Sequence, residues 1–313
     1  MYTNDHFGCI YCPIFFQDVS PTKSPSHVSQ IKKRNNTEIK IHKTIKSIPY
    51  HSLHFHTFVS CEPIQIGFRD QDEDQDDDQE EYMQTNSQFI LLKYNKLIFH
   101  YFNSFTSNKS NKYLSDIYIS LLKSILLLVN KQIIHANVNQ NNIIFVDETP
   151  MITDFSNACQ PSDFEHEITT KNIDNLNLKI FEHFIIHYLI DCDLTSISIS
   201  NIYDIINEYK IHNLLGDMNS KTLFLKSFIN KPKTNIIQQL LMYYYTWDNF
   251  SISSIFLTLL NKNHCNTQNR FVLKWIEILE TNMNANPLKR YTVEFTINKM
   301  EEIVYNAEIN DLI

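Results

Sequence analysis

Two residues with oxygen-bearing side chains, Asn142 and Asp154, lie at the two ends of a short hairpin pattern. Apolar runs follow the first and precede the second, and Asp147-Glu-Thr-Pro150 between the runs predicts a four-residue turn. Pairing across that turn sets Asn142 opposite Phe155 and Asp154 opposite Ile143. Two oxygen ligands on a rigid hairpin suit Mg²⁺, which completes its shell with water and phosphate. The alternative is a solvated Asn and an Asp in a turn, which is the commoner arrangement for such residues.

The segments that carry these two residues are Ile133-Ile-His-Ala-Asn-Val-Asn-Gln-Asn-Asn142 and Ile152-Thr-Asp-Phe-Ser156. They resemble the catalytic and metal-binding loops of the eukaryotic-type Ser/Thr protein kinase superfamily, whose pattern is H-R-D-L-K-x-x-N-I, a turn, and D-F-G. Four positions match in identity and spacing: His135, Asn142, Asp154 and Phe155. The resemblance implies a site for ATP and Mg²⁺, with Asn142 and Asp154 as the residues that bind the metal ion.

Further segments resemble the same family in the expected order. Asp248 stands where a kinase helix supplies the carboxylate that supports the catalytic loop. Asn286-Pro-Leu-Lys-Arg290-Tyr-Thr is similar to the closing N-P-x-x-R-x-T segment, and Phe181-Glu182 occupies the place of the family's P-E pair. The resemblance therefore implies an ion pair between Arg290 and Glu182.

The resemblance extends to the start of the chain and so covers nearly all of it. Phe7-Gly8-Cys9-Ile10 is similar to a remnant of the glycine-rich loop, with Gly8 as its retained glycine. Gln30 falls where the strand Lys is expected, and Glu38 opens the helix that normally supplies the partner of that Lys. In overall style the chain is similar to the divergent kinases of large DNA viruses, which implies the host cytoplasm or the virion as its location.

The chain departs from the kinase pattern at positions that carry charge. Asn137 stands at the position of the catalytic Asp, and an amide cannot accept the proton of the substrate hydroxyl. Losing a general base costs roughly 10²–10⁴ in rate. Asn139 replaces the loop Lys and Gln30 replaces the strand Lys, so the phosphate site loses positive charge. Because phosphoryl transfer depends on positioning and positive charge, these losses predict weak ATP binding or none, and little or no transfer.

The substitutions leave three functions open. The first is a catalytically impaired pseudokinase that acts as a scaffold or regulatory module for a protein partner. The second is an active atypical Ser/Thr kinase that transfers the γ-phosphate of ATP to protein substrates, with Lys32 or Lys33 replacing the strand Lys near Glu38. The third is an unrelated α/β protein with chance matches, which is disfavoured because five separated segments match in order.

The elements that must position these residues indicate an α+β fold, in which a small strand-rich part precedes a larger helical part. The resemblance implies a single bilobal protein-kinase-like domain over residues 1–313. Its N-lobe spans 1–93 and includes an acidic loop at 70–81, and its C-lobe spans 94–313 with an insertion at about 190–245. We expect the insertion to carry a partner-binding surface, since it falls where kinases dock substrates and regulators.

Local patterns predict the individual elements. Isoleucines at helical spacing before Pro49 predict a first helix: Ile41, Ile45 and Ile48. A long helix is predicted from Leu114, with Ser115 as its N-cap. Its core-facing stripe comprises Ile117, Leu121, Ile125 and Leu128. Strands are predicted at 28–31, 55–60, 64–68 and 89–92. Further helices are predicted near 181–190, 201–209, 222–229, 235–245, 250–261, 271–281 and 291–305.

Acidic residues are concentrated in one segment. Nine Asp and Glu side chains fall between Asp70 and Glu81, and without them the net charge of −8 becomes +1. A block of like charge without apolar residues repels itself and is typical of a solvated loop, with an acidic interaction tail as the alternative. The near-neutral remainder indicates no nucleic-acid-binding surface.

The six cysteines are scattered and follow no secretory signal, which favours a reduced intracellular, cytoplasmic location. Cys9-Ile-Tyr-Cys12 has the spacing of a zinc-ligand pair, and His54, His56 and Cys61 follow later. No second CxxC completes such a site, so buried thiols are the commoner explanation. The longest apolar run, Ile125–Val129, is too short to span a bilayer, and no membrane association is expected.

Overall fold

The computed structural model describes residues 3–4, 10–13, 37–65, 88–94, 99–106, 109–164, 180–212, 218–262 and 269–307. These residues form a mixed α+β fold that is mostly helical. The chain divides into two compact units, one formed by residues 1–36 and 57–98 and the other by residues 37–56 and 99–313. The strand predicted at 28–31 and the acidic segment lie outside the described residues.

The first unit contains a four-stranded antiparallel sheet. Its strands are β1 (Thr3–Asn4), β2 (Ile10–Pro13), β3 (Ser60–Gln65) and β4 (Gln88–Tyr94), in the order β1-β2-β4-β3. The predicted strand at 89–92 is confirmed as part of β4. The prediction of separate strands at 55–60 and 64–68 is wrong, because the single strand β3 includes the end of the first and the start of the second; residues 66–68 lie outside the described residues. Pro63 fits β3 because this strand lies at an edge of the sheet, the place to which proline is confined.

Residues 37–56 belong to the second unit and begin with a helix, α1, described over 37–46. The isoleucines that predicted this helix are buried: Ile41, Ile45 and Ile48. The helix ends before Pro49, which cannot continue it. Further along, Phe55 forms a parallel bridge with Ile152.

A hairpin carries the predicted metal-binding residues. It is part of a three-stranded antiparallel sheet formed, in order, by β5 (His100–Tyr101), β6 (Ile143–Val146) and β7 (Thr149–Ile152). The predicted four-residue turn is wrong, because Ile143 pairs with Ile152 instead of Asp154 and the turn contains only Asp147 and Glu148. These two residues have positive φ, 46° and 66°, as in a type I′ turn, whose twist matches that of paired strands. The register therefore differs by two residues from the prediction.

The longest helix, α3 (Asn111–Asn130), begins earlier than predicted. Its N-cap is Ser110, whose hydroxyl oxygen accepts a hydrogen bond from the N–H of Tyr113 at 3.3 Å. Ser115 is wrong as the N-cap, since it lies inside the helix and donates to the carbonyl of Lys112 at 2.7 Å. The predicted stripe is buried in the core: Ile117, Leu121, Ile125 and Leu128.

The other helices of the second unit, as far as it is described, are α2 (Phe102–Thr106), α4 (Phe181–Asp191), α5 (Ile199–His212), α6 (Met218–Lys226), α7 (Lys233–Leu241), α8 (Trp247–Lys262), α9 (Arg270–Asn282) and α10 (Val293–Tyr305). The helical segments predicted beyond residue 180 are confirmed, with shifts of a few residues at their ends. The periodicity of buried positions was therefore a sufficient signal for these elements.

Two hydrophobic cores lie in the second unit. One joins α1 and the hairpin to α3, α8, α9 and α10. The other is formed mainly by α4 to α7 together with Trp247 at the start of α8. The predicted insertion at about 190–245 contributes buried residues such as Ile205, Phe228 and Ile236 to this second core. That segment is therefore a packed helical layer of the second unit.

Of the helices described, α3 is the one whose length and apolar composition would also suit a membrane span. Length and composition alone do not separate the two cases, since core helices share these properties. The apolar stripe of α3 packs inside the first of the two cores, which is the behaviour of a core helix.

Candidate functional site

A buried carboxylate holds the loop that contains His135 and Asn137. Asp248, near the start of α8, accepts hydrogen bonds from the backbone N–H groups of His135 at 2.8 Å and Ala136 at 3.2 Å. Ala136 has a φ of 63°, a left-handed backbone that is strained for a residue with a Cβ atom. Burial raises the pKa of Asp248, while the two N–H bonds act in the opposite direction by stabilising the charged form. The predicted support of the loop by Asp248 is confirmed.

His135 is fully buried and has a defined tautomer. Its Nε2 atom lies 3.1 Å from the carbonyl oxygen of Thr153, which can only accept, so Nε2 carries the proton. Its Nδ1 atom accepts a long hydrogen bond, 3.4 Å, from the N–H of Asn137. His135 therefore ties the loop to the residue that precedes Asp154, and burial keeps it away from any substrate.

Asparagine side chains brace the same loop. The Nδ2 atom of Asn139 donates to the side-chain oxygen of Asn137 at 3.0 Å and to its carbonyl at 3.1 Å. The Nδ2 atom of Asn142 donates to that carbonyl at 2.9 Å, and Asn139 accepts from the N–H of Asn141 at 2.8 Å. Asn137, at the position of the catalytic Asp, therefore has a side-chain oxygen that accepts one hydrogen bond, and its neutral amide is too weak a base to take up a proton.

The observed hairpin register changes the predicted geometry of Asn142 and Asp154. The ladder continues one step beyond β7, because the N–H of Thr153 donates to the carbonyl of Asn142 at 3.0 Å. Asn142 therefore lies opposite Thr153, and not opposite Phe155 as predicted. Asp154 has a φ of 62° and leaves the ladder through this left-handed backbone. Both residues still lie at the open end of the hairpin.

The side-chain oxygens of Asn142 and Asp154 fit a hard cation. Asp154 is exposed, and its Oδ1 accepts from the hydroxyl of Ser156 at 2.7 Å, whereas its Oδ2 takes no hydrogen bond from any described residue. The Oδ1 atom of Asn142 is likewise without a hydrogen bond in the described part of the chain. Two such oxygens would hold Mg²⁺, which keeps several waters. Elsewhere among the described residues, no group of three or more His, Cys, Asp and Glu side chains suits a metal ion.

The aromatic ring that follows Asp154 is buried against three other rings. The centroid of Phe155 lies 5.0 Å from that of His135, 5.3 Å from His42 and 5.9 Å from Phe55. These contacts pack the loop, α1 and the bridge between Phe55 and β7 into one group, and the pairs of Phe155 with His42 and Phe55 have the edge-to-face geometry that aromatic rings prefer. Sequence reasoning missed His42, although its place four residues after Glu38 on one helix face was a usable signal.

Glu38 is buried on α1, with 5% of its surface exposed. Its Oε1 atom lies 3.8 Å from Nε2 of His42, and its Oε2 atom makes no hydrogen bond with the residues described. Gln30, which stands where a kinase has the Lys partner of this Glu, lies outside the described residues. The same holds for three other predicted residues: Gly8, Lys32 and Lys33. Their relation to Glu38 stays a prediction.

The predicted ion pair between Arg290 and Glu182 is confirmed. The Nη1 and Nη2 atoms of Arg290 donate to the two carboxylate oxygens at 2.7 and 2.8 Å, and both side chains are fully buried. Nε1 of Trp247 donates to the same carboxylate at 3.2 Å, and Nε of Arg290 donates to the carbonyl of Asn284 at 2.7 Å. The pair thus joins α4 to α8 and to the segment before α10, which is an architectural role.

No protein-family model matches this chain, and no curated protein is similar to it at a significant level. The loop, the hairpin and the buried ion pair described above therefore carry the functional argument. Their chemistry is that of a braced loop with neutral amides, next to two oxygens that suit a cation.

Proposed function

We propose that this protein has a bilobal, protein-kinase-like fold whose transfer chemistry is impaired, and that it acts as a scaffold or regulatory module that binds proteins. The observation that carries the proposal is the state of Asn137. A neutral amide stands where a kinase has its general base, and its oxygen accepts a hydrogen bond from the Nδ2 atom of Asn139 at 3.0 Å. A group in this state cannot draw a proton from a substrate hydroxyl.

Contacts far apart in sequence support the proposal. Asp248 supports the loop at His135 across 113 residues, and Arg290 pairs with Glu182 across 108. These contacts have architectural roles in the kinase family. This chain retains them, although it lacks the Asp and the two Lys residues that a kinase uses for phosphoryl transfer. A chain that keeps the architectural contacts and lacks the groups for phosphoryl transfer is better suited to binding than to catalysis.

Under this proposal nucleotide binding is weak. Asn142 and Asp154 would hold Mg²⁺, which neutralises phosphate charge when bound. Asn139 and Gln30 replace two Lys residues, so ATP loses two charge-assisted contacts of about 1.5–3 kcal/mol each. The affinity for ATP is therefore expected to be roughly 10²–10⁴-fold below that of a site with both Lys residues.

The test is transfer of labelled γ-phosphate from Mg²⁺–ATP to the protein itself and to generic protein substrates. The wild-type protein is expected to transfer no more than Asp154→Asn. Asp147→Asn is the matched control, since it makes the same change at the exposed turn of the same hairpin. Thermal-shift titration of the three proteins with Mg²⁺–ATP measures binding separately, because a ligand stabilises by RT ln(1 + [L]/Kd), about 2.7 kcal/mol at a hundredfold excess.

Transfer by the wild-type protein and by Asp147→Asn that disappears in Asp154→Asn would contradict the proposal. It would instead favour the alternative, an active atypical Ser/Thr kinase. The combination Asn137→Asp with Asn139→Lys restores the base and the loop cation, and a gain of transfer in this double variant would identify the two amides as the cause of the inactivity.

A further inference from the structure

A cavity of about 430 Å³ lies between the loop that follows His135 and one face of α8. Residues 137–141 form one wall, and the face of α8 from Phe250 to Lys262 forms the other. Its volume falls within the usual range of ligand pockets, about 300–1,000 Å³. The cavity is built wholly from residues of the second unit.

Several polar groups that line the cavity make no hydrogen bond within the part of the chain that the structure describes. The Nδ2 atom of Asn137, the hydroxyl of Ser254 and the side-chain amide of Gln140 make no hydrogen bond with any described residue. Lys262 is exposed on the last turn of α8 and makes no ion pair with any residue that the structure describes. Because no Asp or Glu is among the described residues that line the cavity, the charge of Lys262 gives this part of the lining a positive character.

The cavity also has an apolar surface next to these polar groups. Val138, Phe250 and Ile255 contribute to it and are each at most 8% exposed. A complementary ligand therefore carries a short carbon chain that ends in an anionic group. The side chains of Gln140 and Asn141 add amides that both donate and accept, as the N–H and C=O groups of a peptide backbone also do. A small inorganic anion would leave the amide oxygens and the apolar surface unused.

We propose that this cavity binds an acidic segment of a protein partner, with an Asp or Glu carboxylate of that segment facing Lys262. The carbon stem of the acidic side chain lies against the apolar surface, and the amides of Gln140 and Asn141 pair with the peptide backbone. The inference rests on the proposed function in taking the ligand to be a protein. The preference for negative charge follows from the lining of the cavity alone.

The experiment uses the full chain and fluorescence anisotropy with two short labelled peptides, one with glutamates between alanine and valine residues and one with glutamines in their place. The glutamate peptide is expected to bind about tenfold more tightly at low salt, and the difference is expected to shrink at high salt. Lys262→Gln removes the difference. Lys131→Gln, which changes an exposed lysine outside the cavity, keeps it. Lys262→Glu reverses the preference in favour of a lysine analogue of the peptide.

Equal affinity of the wild-type protein for the two peptides would overturn the inference, as would an unchanged preference in Lys262→Gln. Glutarate and inorganic phosphate serve as competitors, and displacement by either at the concentration of the unlabelled peptide would identify a small anion as the ligand instead. If the protein transfers phosphate and still prefers the glutamate peptide, only the proposed function is contradicted. If the protein transfers no phosphate and binds the two peptides equally well, only the inference about the cavity is contradicted.

Discussion

Glu182→Gln removes one charge of the buried ion pair and leaves the guanidinium of Arg290 without a counter-ion. Glutamine keeps the size of the side chain, but its NH₂ group faces a guanidinium N–H where an oxygen now accepts at 2.7 or 2.8 Å. Removing one partner of a buried pair costs about 3–5 kcal/mol, because the remaining charge stays desolvated. The free energy of unfolding is therefore expected to fall by about 3–5 kcal/mol.

The double variant Glu182→Leu with Arg290→Met separates the loss of the pair from the presence of a lone buried charge. Replacing both ions by apolar residues of similar size is neutral or stabilising by about 1–4 kcal/mol. Against this, Nε1 of Trp247 and the carbonyl of Asn284 lose their partners, at about 1–3 kcal/mol each. The double variant is expected to be destabilised by about 1–2 kcal/mol, which is less than Glu182→Gln alone.

Urea unfolding followed by tryptophan fluorescence measures these changes. The chain has two tryptophans, Trp247 and Trp275, and both are fully buried in the second unit, so the signal reports the unfolding of that unit. Glu301→Gln is the matched control, because Glu301 pairs with Lys123 at 3.0 Å with both side chains about half exposed. Exposed pairs contribute about 0–1 kcal/mol, so the control is expected to change stability by no more than that.

A loss of less than about 1 kcal/mol in Glu182→Gln, no larger than that in the control, would refute the reasoning, because it would mean that the two ions are solvated. Glu182→Leu and Arg290→Met are also measured singly, and a double variant destabilised by the sum of these two changes would refute the reasoning too, since paired residues must show coupling.

Three further predictions concern the local structure, and each is tested by urea unfolding. Glu148→Gly is expected to stabilise the protein by about 1 kcal/mol, because glycine adopts the left-handed backbone of the turn without strain; no gain would argue against that conformation. Ser110→Ala is expected to lower the free energy of unfolding by about 1 kcal/mol, and Ser115→Ala by less than about 0.5 kcal/mol, because Ser110 is the N-cap of α3. The opposite order would indicate that Ser115 is the N-cap. Burial lowers the pKa of His54 below its ordinary value of 6.5, so protonation opposes folding. The free energy of unfolding should therefore decrease as the pH falls below about 6.5, and less so in His54→Gln; an equal decrease would exclude His54 as the cause.

The amide side chains of the loop also have a structural consequence. In place of charged groups that would repel or attract phosphate, Asn137 and Asn139 hydrogen-bond to each other and hold the loop closed on itself. The oxygen of Asn137 and the Nδ2 atom of Asn139 are therefore satisfied within the loop, whereas the Nδ2 atom of Asn137 makes no hydrogen bond with any described residue.

Helix positions could be predicted from the sequence because helical periodicity is a local property. The stripe of α3 and the isoleucine spacing of α1 were enough to identify both helices and their buried faces. The start of α3 was not predictable in this way, because Ser110 and Ser115 are both suitable N-caps. Burial of Ser115 against the core decides between them, and burial is a property of the packed chain.

The hairpin register illustrates the same limit. Pro150 favoured a turn position, but in the structure it pairs with Phe145 inside β7. That pair lies next to the hydrogen-bonded pair beside a two-residue turn, so it exchanges no N–H bond and the missing donor of Pro150 costs nothing. The strained backbone of Asp147 and Glu148 is accepted because the strands bury apolar side chains on both sides of the turn.

The sequence by itself determined the order of the elements, the loop residues at the candidate site and, through the resemblance, the partners Arg290 and Glu182. The tertiary structure alone decided how the site residues are held: the carboxylate of Asp248 sets the loop backbone, and the carbonyl of Thr153 sets the tautomer of His135. Helical periodicity is a pattern among neighbouring residues, so the sequence shows it directly. Hydrogen bonds between residues more than a hundred positions apart exist only once the chain has packed, and their donors and acceptors leave no local pattern.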